Sequence, residues 1–110
     1  MARLDRAISR RDHTMEKGGW IYILTNKPDG TLNIGVTANL ARRIHERRTG
    51  SADGFTKRYN LNRLIYAERH DDIKHAIQRE SRLKKWPRAW KVDLIVSRNP
   101  EWKDIFDSLV

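Results

Sequence analysis

The stretch "WIYILTNKPDGTLNIGVTANLARRIHERR", residues 20–48, constrains the fold more than any other part of this chain. Two short runs, Trp20–Thr25 and Thr31–Val36, are rich in β-branched and aromatic residues, which suit a pleated surface. Between them "NKPDG" puts Pro28 and Gly30 where a hairpin turn needs one fixed φ and one free one. The basic segment 38–48 then reads as a helix, with Thr37 or Asn39 as its cap.

The rest of the chain extends this pattern. Residues 49–60 form a polar loop carrying Phe55 and Tyr59, and "NRLIYAE" at 62–68 is a third strand. Asp71 or Asp72 caps a second long helix that runs to about Lys85. Pro87 opens a third helical pattern. Asn99 and Pro100 read as the cap and first position of a short last helix. The order β-β-α-β-α-α-α predicts an α+β domain, a small antiparallel sheet flanked by helices. With 110 residues there is room for one core. Residues 1–17 carry excess positive charge and end at Gly18-Gly19, so they read as a basic arm ahead of a domain spanning 18–110.

Charge then narrows the function. Lys and Arg total 23 against 14 acids, a net charge of +9. A polyanion such as nucleic acid is the partner this implies, because phosphate neutralisation releases counterions. The chain has no cysteine, which removes thiolate metal sites and suits the cytoplasm. No apolar run approaches the ~18 residues of a membrane span.

Helical geometry picks out three charged positions on two helices. At about 100° per residue, Arg43 and Arg47 lie within about 60° of Leu40, on the face that docks with Ile44. Such an arginine either lays its stem on the core with its head in water or grips an anion at the rim of a site. On the second helix Glu80 lies within about 20° of Ile73, inside the stripe formed by Ile73, Ala76, Ile77 and Leu83. A carboxylate there needs a partner. It is either an ion pair, with Arg43 one candidate, or an oxygen ligand for Mg²⁺ or Mn²⁺.

Taken with "GFTKRYNLNRLIYAE", "AIQRESRLKKWPRAWKVDLI" and "NPEW", residues 20–48 resemble the GIY-YIG nuclease family, in particular its small stand-alone bacterial members. The likeness covers about residues 18–106. It implies a three-stranded antiparallel sheet and a metal-dependent endonuclease-type hydrolase that cleaves phosphodiester bonds in DNA or structured nucleic acid, DNA ahead of RNA. The first motif's tyrosine is matched by Tyr22, the catalytic arginine by Arg43 and the metal-binding glutamate by Glu80. The resemblance implies Mg²⁺ or Mn²⁺ as cofactor.

Three positions depart from the family; the first of them is Trp20, in place of the first motif's leading glycine. The second motif's tyrosine is Asn33, whose amide cannot act as a base near neutral pH but can orient water. Arg47 stands where the family has histidine or tyrosine. The implied enzyme is therefore slow, and a noncatalytic nucleic-acid-binding protein with a degenerate site is the alternative. Lys57, Arg58, Lys84, Lys85 and Arg88, with Arg47, are candidate nucleic-acid contacts. Trp86 and Trp90 read as core residues ahead of base-stacking ones. In "HDDIKH", His70 and His75 do not share a helical face, which argues against a metal site.

Overall fold

In a computed structural model that describes residues 18–49 and 61–109, three antiparallel strands pair in the order β2-β1-β3. The strands are β1 (Gly19–Thr25), β2 (Leu32–Thr37) and β3 (Arg63–His70), and the helices are α1 (Leu40–Thr49), α2 (Ile73–Lys85), α3 (Arg88–Arg98) and α4 (Phe106–Leu109). This is the expected element order. The expected basic arm, the loop with Phe55 and Tyr59, and both Lys57 and Arg58 lie outside the described residues.

The hairpin closes through a turn in which Gly30 N donates to Lys27 O at 2.9 Å. Pro28 occupies its second position. The positive φ falls at Asp29, at 60°, rather than at the expected glycine. Aspartate is among the few side chains that tolerate this region. Asn26 Oδ1 accepts from Thr31 N at 3.1 Å and fixes the start of the return strand. Arg88 on α3 clips the same turn, donating to the carbonyls of Asp29 (2.9 Å) and Gly30 (2.8 Å).

Strand alternation divides the core in two. Ile21, Ile23, Ile34 and Tyr66 point to the side covered by Ala76 and Leu83 of α2 and Ile95 of α3. Tyr22, Leu24 and Leu64 point to the other, where Leu40 and Ile44 of α1 and Leu61 pack. Each buried isoleucine or leucine among them contributes about 1.5–3 kcal/mol. The register of β1 against β3 shifts between Ile23 and Leu24, so Tyr66 pairs with Ile23 while Leu64 pairs with Leu24. Ile65 is the extra residue. The irregularity lets Ile65 and Tyr66 both join the α2 side while Leu64 joins the α1 side, which strict alternation forbids.

The caps are Asn39, whose Oδ1 accepts from Arg42 N at 3.1 Å, and Asp72, whose Oδ1 accepts from Lys74 N at 2.8 Å. At the C-terminal end the expectation fails. Asn99 closes α3 rather than opening a new helix, and helix resumes only at Phe106. The buried Asn99 side chain bonds three backbone groups instead: Ile65 O (3.0 Å), Lys103 O (2.8 Å) and Lys103 N (3.0 Å). Trp102, at φ 56°, turns back into the core. Segment 99–105 thereby covers the outer edge of β3, where Ile105 N also bonds Leu64 O at 2.8 Å. Among the described residues nothing comparable covers β2, so the sheet has one protected edge and one open one.

Two side chains expected in the core are not there. Ile77 is 48% exposed and Trp90 is 56% exposed, while Trp86 does pack against the core. The apolar stripe of α2 is narrower than the helical period suggested: Ala76 and Leu83 are buried and Ile77 is not.

Candidate functional site

Tyr22 sits at the middle of β1 and is buried, with its ring over the partner strand. It pairs with Gly35, and a Cβ at Gly35 would collide with the Cζ–Oη end of the phenol. The glycine of "NIG" is thus required by close approach. Over this seat, Arg43 Nη1 and Arg47 Nη2 donate to Tyr22 Oη at 3.5 and 3.4 Å. Both bonds are long, hence weak and easily exchanged for bonds to an anion. α1 places the two guanidinium groups one turn apart, as its period predicted, and Leu40 and Ile44 anchor it beneath them. Arg43 also reaches Glu46 Oε1 at 3.6 Å.

Asn33 pairs with Leu24, two residues along from Tyr22, so it lies on the same sheet face and on the uncovered strand. Tyr22, Asn33, Arg43 and Arg47 therefore share one side of the sheet.

Glu80 belongs to α2, which packs by Ala76 and Leu83 on the opposite side. Its partner is Lys84, with Oε2 to Nζ at 3.1 Å. The considered Glu80–Arg43 ion pair is not formed: a lysine one turn along the same helix is closer at hand than an arginine across the sheet. The Glu80 side chain remains 16% exposed. Of the candidate contacts, Lys84 has a side chain 56% exposed, Lys85 is exposed, and Arg88 holds the hairpin turn.

Sequence reasoning missed a cluster around Glu68. Its Oε1 accepts from Tyr66 Oη (2.6 Å) and Arg79 Nη2 (3.3 Å); its Oε2 meets His70 Nε2 (2.5 Å) and Arg79 Nε (3.1 Å). Burial alone would raise the carboxyl, but hydrogen bonds from Tyr66, Arg79 and His70 outweigh it and hold Glu68 at about 2. Burial, then the bond to Glu68 and its charge, push Tyr66 up to about 12. The cluster ties β3 to α2 at Arg79, the residue before Glu80. Positions 66, 68 and 70 alternate onto one strand face, which was the available signal.

A three-stranded antiparallel sheet with an arginine-bearing helix over a tyrosine–glycine seat is the arrangement of a nuclease-type domain. The chain belongs to the GIY-YIG family: residues 18–93 match the model of the GIY-YIG catalytic domain. It is 35% identical over 83 residues to a UPF0213 protein of Syntrophus aciditrophicus, covering 74% of this chain and 93% of the relative. A UPF0213 protein of Natronomonas pharaonis is 34% identical over 76 residues (69% and 88%), and one of Oceanobacillus iheyensis is 30% identical over 87 residues (79% and 100%). Their names state no activity. No solved structure matches the chain. Among the described residues no helix is long and apolar enough to cross a membrane.

Proposed function

We propose that this protein is a phosphodiesterase of the endonuclease type, acting on DNA or structured nucleic acid in the cytoplasm. One observation carries the reading: two arginines converge on the hydroxyl of a buried tyrosine beside the open strand of a +9 protein. A phosphate entering there would take over both guanidinium donors, and charge developing on its oxygens would be stabilised by groups already in position. Arg43 is the primary anion-stabilising group and Arg47 a second. Tyr22 orients both and can bond the phosphate or the attacking water. Asn33 positions that water by hydrogen bonding. Lys57, Arg58, Lys84, Lys85 and Arg88, with the 1–17 arm, hold the flanking backbone.

The family's divalent ion is tested against this chain by its donor set. Among the described residues no three His, Cys, Asp or Glu side chains group to cage a metal. A single carboxylate does suit Mg²⁺ or Mn²⁺, which keep waters and share substrate phosphate oxygens. Glu80 is the residue that would hold the ion: its carboxylate is partly exposed, and the ion would have to displace the Lys84 ammonium paired with it. Because α2 packs on the sheet side opposite Arg43 and Arg47, an ion bound there would supply positive charge to the nucleic-acid backbone from that side.

A noncatalytic, nucleic-acid-binding protein is the second reading, favoured by the amide at Asn33 and by Lys84 on the Glu80 carboxylate. Nicking of supercoiled plasmid with Mn²⁺ discriminates between them. The proposed enzyme nicks, and both Arg43→Ala and Glu80→Ala abolish nicking. Cleavage that persists in Glu80→Ala would overturn the site assignment. Asn33→Tyr restores a hydroxyl at the water-binding position and is expected to raise the rate by about 10²-fold or more. An unchanged rate would show that the asparagine is not what limits the enzyme.

A further inference from the structure

Trp90 is the most exposed large apolar side chain among the described residues, at 56%. It is nevertheless supported. Its ring meets Trp86 edge-on, with centroids 5.8 Å apart and planes at 78°. Trp86 is itself packed against the core, and the Arg79 guanidinium lies 5.3 Å from its ring centroid. An indole is thus backed by a second indole while much of its surface stays in water. A lone exposed hydrophobic residue would need no explanation. This one lies within residues 82–91, which hold Arg82, Lys84, Lys85, Arg88 and Lys91 and no acid. The side chains of Lys84 and Arg88 are 56% and 50% exposed.

We propose that Trp90 is a stacking platform for an unpaired nucleobase, on a strand whose phosphates pass over Lys84, Lys85 and Arg88. Every base has an aromatic face, so stacking on an indole is tolerant of sequence. The flanking cations supply the charge complementarity that a purely apolar partner would not need. A paired base inside a duplex has both faces occupied by its neighbours, so the platform selects single-stranded or splayed nucleotides. Lys84 joins the platform to the candidate site, because the same ammonium bonds Glu80. The inference rests on the nucleic-acid reading above and deepens it: the substrate carries unpaired nucleotides next to the bond to be cut.

The test is equilibrium binding in EDTA, so that cleavage plays no part. The probes are a fluorescent oligodeoxythymidylate, an abasic oligonucleotide of equal length, and a duplex. The wild-type protein is expected to bind the thymidylate roughly 5- to 100-fold more tightly than the abasic strand. Trp90→Ala should erase that preference and leave abasic and duplex binding unchanged. Trp90→Phe should retain most of it, with unchanged circular dichroism showing that both variants fold. Equal wild-type affinity for the thymidylate and abasic strands overturns the proposal, as does a Trp90→Ala loss equal on all three probes. Either result leaves plasmid nicking and its Glu80 dependence standing. Conversely, a protein that never nicks can still show the base preference, so the two readings fail separately.

Discussion

Replacing Glu68 by glutamine removes a charge while keeping the size of the side chain, and its effect can be worked out from the cluster. Glu68 is lowered from its ordinary 4.5 to about 2, and its side chain is only 13% exposed. At ~1.36 kcal/mol per pH unit this difference corresponds to about 3 kcal/mol, and solvent screening around the cluster trims it to about 2 kcal/mol. The carboxylate is favoured in the folded state, so the contribution is fully present above the unfolded value of 4.5. It is lost as pH falls from there through about 2. Near neutral pH, Glu68→Gln is therefore expected to be less stable than wild type by about 2 kcal/mol. The gap should close as the pH approaches about 2. Urea unfolding followed by tryptophan fluorescence measures it, with both proteins titrated in parallel so that the other carboxylates cancel. A gap that stays constant across the acid range would refute the argument, because the cluster would then be held by shape rather than by charge. A gap that closes would also mean that the β3–α2 tie beside Glu80 loosens in acid.

Two further changes probe the seat and the edge cover. Gly35→Ala drives a methyl into the Tyr22 ring and should cost about 1–3 kcal/mol by overpacking. It should also weaken nucleic-acid binding, because the phenol can no longer meet Arg43 and Arg47; unchanged salt-dependent affinity would argue against that seat. Asn99→Ala strips partners from Ile65 O and both Lys103 backbone groups and should cost about 2–3 kcal/mol. That loss would lower the melting temperature without altering the affinity of whatever fraction stays folded.

What the sequence determined by itself was everything set by neighbours along the chain. The Pro28–Gly30 turn, the caps at Asn39 and Asp72, and the Arg43–Arg47 stripe follow from local φ preferences and helical period, and the motif residues made the family legible. Only the tertiary structure decided what lies opposite each face. Periodicity marks a side of an element but not its partner. Hence Glu80 bonds Lys84 rather than Arg43, Ile77 and Trp90 face water, and Arg88 grips a turn some sixty positions away. Glu68 is the sharpest case. Its neighbours at 66 and 70 were readable from strand alternation, but Arg79 reaches it only because α2 crosses that face. The Asn99 staple was hidden for the same reason. A side chain that caps helices elsewhere was drawn into hydrogen bonds by the bare carbonyl of an edge strand, which exists only once the sheet has formed.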